Sequence, residues 1–127
     1  MIAVDTSALM AIALGERTAA ACMKALEAEN DVLISAGTVT EALIVSSLRN
    51  VGDEVASLID GLGFEIVAIT PASARRIADA YRRWGRGMHS AALNFGDCFA
   101  YEVAKEHGCG LLYVGDDFAK TDVESVL

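Results

Sequence analysis

Residues 1–5, MIAVD, and residues 111–117, LLYVGDD, decide the reading of this chain. Each is a short apolar run that stops at an acid. Runs this short and this apolar, bounded by turn or capping residues, read as strands buried on both faces. After the first, Thr6 or Ser7 can cap a helix over Ala8–Leu14, which Gly15 ends. A strand that leads straight into a helix is the unit from which parallel sheets are built.

Working outward, the unit recurs. Glu16–Glu29 predicts a second helix and Val32–Ser35 a short strand. Thr38–Asn50 reads as helix up to the break at Gly52, and Asp53–Gly61 as a shorter one. Phe64–Ile69 has the β-branched content of a strand. Thr70 then caps a helix with Pro71 at its first position, running to about Trp84. Gly85 to Asn94 is expected as a loop, Phe95–His107 as helix and Leu111–Val114 as the fourth strand. A short helix and a last edge strand near Val123–Val126 finish the chain. Strands alternating with helices imply an α/β fold with a parallel sheet and right-handed crossovers.

At 127 residues the chain has the length of one domain, residues 1–127, with no repeat, linker or low-complexity tract. Apolar residues make up 54% and proline occurs once, which argues against disorder. No stretch reaches a membrane span, and Asp5 interrupts the first apolar run, so neither membrane insertion nor a signal peptide is expected. The expected location is the cytoplasm. Cys22, Cys98 and Cys109 form no C-x-x-C pair and read as small buried hydrophobes.

The acids carry the chemistry. In a parallel α/β sheet, Asp5 and the Asp116–Asp117 pair fall at carboxyl ends of strands, where such sheets bind ligands. Glu41 and Asp97 fall on first turns of helices. Each has a structural reading as well. Asp5 can cap a helix, and Thr38-x-x-Glu41 matches a capping box. Asp97 lies three residues after a candidate cap, Asn94, in otherwise apolar surroundings where a lone charge is costly. Converging carboxylates repel unless a cation sits between them, and hard oxygen donors select Mg²⁺ or Mn²⁺. Thr6 and Ser7 are placed to orient Asp5 or a bound water.

A net charge of −8 argues against a nucleic-acid partner, but the bases are unevenly spread. Arg75, Arg76, Arg82, Arg83 and Arg86 fall within an arc of roughly 120° on a helical projection, opposite Ile77, Tyr81 and Trp84. Such a stripe is either a plain solvated face or a phosphate contact, with Arg75, Arg82 and Arg86 as the RNA-binding candidates. His89, in the loop before Asn94, is expected to be exposed, and His107 to sit at a helix end.

Four stretches in order, MIAVDTSALMAI, ISAGTVTEALIV, ALNFGDCFAYEVAKEHG and LLYVGDDFAKTD, resemble the motifs of PIN-domain ribonucleases, and most closely those of VapC toxins. The resemblance spans nearly the whole chain. It implies a three-layer α/β/α sandwich around a parallel sheet of four to five strands. It implies metal-dependent endonucleolytic cleavage of RNA, with Mg²⁺ or Mn²⁺ held by Asp5, Glu41, Asp97 and a fourth acid. Many relatives carry the fourth acid where Gly115 stands here; Asp116 is taken for it, with Asp117 as the substitute. It further implies a cognate antitoxin and a homodimer. A haloacid-dehalogenase-like phosphatase is the rival enzyme, although its second aspartate is replaced here by Ser7. A non-catalytic α/β protein-binding module, its acids serving as caps, is the other alternative.

Overall fold

The computed structural model describes all residues, Met1–Leu127. In chain order the elements are β1 (Ile2–Val4), α1 (Thr6–Ala13), α2 (Ala19–Glu27), β2 (Val32–Ser35) and α3 (Ala36–Leu48). They continue with α4 (Gly52–Gly61), β3 (Glu65–Val67), α5 (Pro71–Trp84), α6 (Phe95–Glu106) and β4 (Gly110–Leu112). The strands form one parallel sheet in the order β3-β2-β1-β4. The first strand made is therefore central, and its second neighbour is the last.

Alternation along the strands divides the core in two. Ile2, Val4, Val32, Ile34 and Leu112 point to one face, where they pack with Leu9, Ala42, Val55 and Ile59. Ala3, Leu33 and Leu111 point to the other, packing with Ile77, Trp84, Tyr101 and Phe118. Helices α1 to α4 thus cover one face and α5 with α6 the other, giving the three layers expected.

Several boundaries differ from the sequence reading. Ser35 rather than Thr38 caps α3, accepting from the Gly37 N–H at 3.1 Å. Thr38 is fully buried in the helix, so Glu41 belongs to no capping box. The second helix begins only at Ala19, after a turn. β3 is an edge strand with Ile66 52% exposed, not a strand buried on both faces. The short helix after β4 is a series of turns. The last edge strand is reduced to one parallel bridge, Leu111 to Ser125, held by Leu111 N–H to the Glu124 carbonyl at 2.8 Å.

The 85–94 segment is a loop, pinned by a bridge between Gly85 and the fully buried Leu93. His89 stacks edge-on against Trp84, with ring centroids 4.8 Å apart. All three cysteines are free thiols.

Candidate metal centre

The cleft forms where β1, β2 and β4 end. β1 releases the chain at Asp5, which caps α1 by accepting from the Ser7 N–H at 3.1 Å. The Ser7 hydroxyl donates to the same carboxylate oxygen at 2.7 Å and accepts from the Val114 N–H just past β4 at 3.0 Å. Ser7 therefore ties the ends of two paired strands to one oxygen of Asp5. The other oxygen, Oδ1, is buried and has no hydrogen-bond partner. Buried acceptors are rarely left so, because an unmade hydrogen bond costs about 1–3 kcal/mol. Capping and site-building are thus two uses of one side chain.

Glu41 reaches the cleft from the second turn of α3, where the Thr6 hydroxyl donates to its Oε1 at 2.6 Å. It can lie there because α6 has glycine at position 96: a Cβ built on Gly96 would stand 1.9 Å from Glu41 Oε2. Gly37 plays the matching part on α3, facing Phe99 at 2.5 Å from its would-be Cβ. Both glycines went unread in the sequence. Their signal is glycine on the first turn of a helix, where it weakens the helix and so calls for a packing reason.

Asp97 sits near the start of α6 and accepts from the Asn94 N–H at 2.9 Å. The Asn94 side-chain oxygen accepts from Arg86 at 3.0 Å, which brings Arg86 to the rim. Asp117 lines the cleft with Asp5, Glu41, Asp97 and Asn94, whereas Asp116 does not. Gly115, at φ +94°, turns the chain after β4, and the Asp116 carbonyl accepts from the Ala119 N–H. That turn carries Asp117, not the preferred Asp116, to the acids.

Burial dominates the electrostatics. It pushes the Asp5 carboxyl up to about 7, with the charges of Asp97 and Glu41 adding to the rise and the Ser7 hydrogen bonds opposing it. Burial likewise pushes Asp97 up to about 6, with Asp117 and Glu41 adding and the Asn94 hydrogen bond opposing. As the side chains stand, no three acids converge closely enough to ligate one ion. Asp117 is exposed. The donor set is all oxygen, and Asp5 offers a buried lone pair with nothing to meet, so these residues fit a hard divalent cation.

The arginine stripe is only partly a free face. Arg82 pairs with Asp79 at 2.6 Å, and Arg76 lies 3.4 Å from Glu106 and 3.9 Å from Glu102. Arg83 lies 3.7 Å from Asp122 and stacks over Trp84. Arg86 falls beyond the end of α5, where the helical projection no longer applies. Arg75 is exposed on that helix, and none of Arg75, Arg82 and Arg86 lines the cleft.

Fold and cleft together define a class: a parallel α/β protein with an acidic, oxygen-donor cleft beyond the carboxyl ends of its strands. The sequence matches the PIN domain family over residues 2–124. It is 40% identical over 126 residues to ribonuclease VapC36 of Mycobacterium tuberculosis, covering 95% of this chain and 90% of that one. The fold superposes with a TM-score of 0.77 on M. tuberculosis VapC20, a sarcin-ricin loop cleaving toxin, at 16% identity and over 97% and 96% of the two chains. It superposes at 0.73 on a chain of a toxin–antitoxin complex from Klebsiella pneumoniae, at 21% identity and over 100% and 97%. The chain belongs to the PIN-domain family, as a VapC-type ribonuclease.

Proposed function

We propose that residues 1–127 form a single nuclease domain that cleaves RNA internally with Mg²⁺ or Mn²⁺, and that it acts in the cytoplasm as the toxin of a toxin–antitoxin pair. The observation that carries this reading is the orphaned, buried Oδ1 of Asp5, a residue that lines a cleft with Glu41, Asp97 and Asp117. These four acids would hold the ion. A bound divalent ion lowers the pKa of water toward neutrality and offsets charge on the phosphate. The chain's own residues fix the donors: Ser7 holds Asp5, Thr6 holds Glu41 and the Asn94 N–H holds Asp97. Asp5 and Asp97 must shed protons to bind a cation, so loading releases protons below about pH 7.

The toxin assignment rests on the named relatives and on the Klebsiella complex, in which a similar fold is joined to an antitoxin. An acidic cleft invites an antitoxin arginine, which pairs bidentately with a carboxylate. Homodimerisation is supported by apolar side chains left in water along α3 and the start of α6: Ile44 is 57% exposed, Leu48 78% and Phe95 70%. No helix is long and apolar enough to cross a membrane. Family membership takes the place of the phosphatase and protein-binding readings.

The test is cleavage of single-stranded RNA by the purified chain. Internal cuts should require Mn²⁺ or Mg²⁺, stop with EDTA and resume when metal is restored. Cleavage indifferent to EDTA, or release of phosphate alone, would overturn the reading. Growth arrest on expression, relieved by the co-expressed partner, tests the toxin role separately.

A further inference from the structure

The acidic cleft does not end at its acids. One wall is Thr6 and Met10 on α1 with Leu14 at its C-cap, continued by Glu16; the other is Glu41 and Val45 on α3 with Arg49 at its C-cap. Residues spaced by four share one helix face, so each wall is continuous. Arg49 is the only cationic side chain lining this cleft of about 310 Å³. It is exposed and makes none of the chain's ion pairs, unlike Arg76, Arg82 and Arg83. Its backbone is anchored, since the Arg49 N–H donates to the Val45 and Ser46 carbonyls at 3.2 and 3.1 Å. Arg49 is the C-cap of α3, one residue past Leu48, so it stands at the far end of the trough from Glu41.

We propose that Arg49 is a positioning residue for RNA, holding a backbone phosphate that flanks the one being cleaved, in a track between α1 and α3. This rests on the nuclease reading above. Eight residues at ~1.5 Å rise place the Cα of Arg49 about 12 Å along α3 from that of Glu41. That separation along the trough suits a phosphate a nucleotide or two from the scissile one. In a chain of net charge −8, a cation at the end of an acidic trough gives the strand direction as well as affinity. Glu16, on the facing wall at the same end, opposes phosphate and sets the limit on that affinity.

The test compares wild type, Arg49→Ala, Arg49→Lys and Glu16→Gln on one single-stranded RNA with Mn²⁺. Arg49→Ala should raise KM several-fold more than it lowers kcat and reduce the log–log salt slope of binding by about 0.7, the loss of one phosphate contact. Arg49→Lys should recover most of the slope and less of the KM, because a lysine keeps the charge without the fork. Glu16→Gln should lower KM. If Arg49 only offsets repulsion among the acids, Arg49→Ala will instead weaken Mn²⁺ affinity and leave slope and KM alone, which overturns the inference. If wild type neither binds nor cuts the RNA, the nuclease reading fails, and this inference with it. Cutting by wild type with an unaltered Arg49→Ala overturns this inference alone.

Discussion

The two faces of α6 bury polar groups in opposite ways. On the side toward α5, Trp84 Nε1–H donates to the Tyr101 hydroxyl at 2.9 Å, which donates to Asp122 Oδ1 at 2.6 Å. Lys105 lies 3.3 Å and Arg83 3.7 Å from the other Asp122 oxygen. Its hydrogen bonds and these cations hold Asp122 below the usual carboxylate range despite some loss of solvent. At the cleft, Asp5 and Asp97 are raised, and an oxygen of Asp5 meets nothing. Three buried side-chain oxygens lack partners, on Asp5, Thr18 and Thr38, and only that of Asp5 belongs to an ionisable group. A satisfied network fastens elements together. An unsatisfied one holds energy that a ligand can release.

Asp97→Asn probes the comparison with the largest expected effect. It keeps the side chain's size but removes the charge a hard cation requires. RNA cleavage should fall by orders of magnitude while the metal-free protein melts no lower, and higher if repulsion dominates. Cleavage at the wild-type rate would break the contrast outright.

Gly96→Ala is expected to come next. The added methyl displaces the Glu41 carboxylate rather than backbone, so the fold should persist. Cleavage should fall by about 10–100-fold, the usual penalty for misplacing metal donors. An unchanged rate would show that Glu41 has no fixed role.

Mn²⁺ should stabilise the protein by about 2.7 kcal/mol at a hundredfold excess over Kd. The metal-free protein should show the reverse dependence on pH. Its Asp5 and Asp97 keep protons that the unfolded chain has lost above about 4, the ordinary carboxylate value. The stability they contribute is full below that pH and lost as pH rises to about 7. Melting temperature against pH, with and without Mn²⁺, checks both halves. No rise in melting temperature at saturating metal would remove the cleft from the unsatisfied class.

Tyr101→Phe should have the smallest effect and a different kind. It strands the Trp84 N–H and a carboxylate oxygen of Asp122, lowering stability by about 1–2 kcal/mol. Cleavage per folded molecule should be unchanged. A loss of kcat would mean the network reaches the site.

Much of this contrast was legible in the residues. The strand–acid junctions at Asp5 and after Val114, the proline-led start of α5 and the Asn94–Asp97 pairing are local, and local chemistry decides them. Four things were not. Thr38-x-x-Glu41 and Ser35 are both valid caps, and only tertiary burial of Thr38 chooses between them. Asp116 and Asp117 differ by one step around a glycine turn, which sequence spacing does not resolve. The helical projection carried Arg86 past the end of a helix that stops at Trp84. Arg49 escaped notice because its neighbours in the cleft come from distant parts of the chain.

One feature reaches past the finished molecule. The Ser7 hydroxyl bonds across 107 positions to Val114, and the cleft needs both Asp5 and Asp117. At roughly 5–20 residues per second, translation separates those acids by roughly 6–22 s. Through that interval the growing polypeptide has the first acid of the cleft but not the last, and its central strand lacks one neighbour. The cleft is therefore incomplete on every nascent chain, and it is assembled only when the last strand docks beside the first.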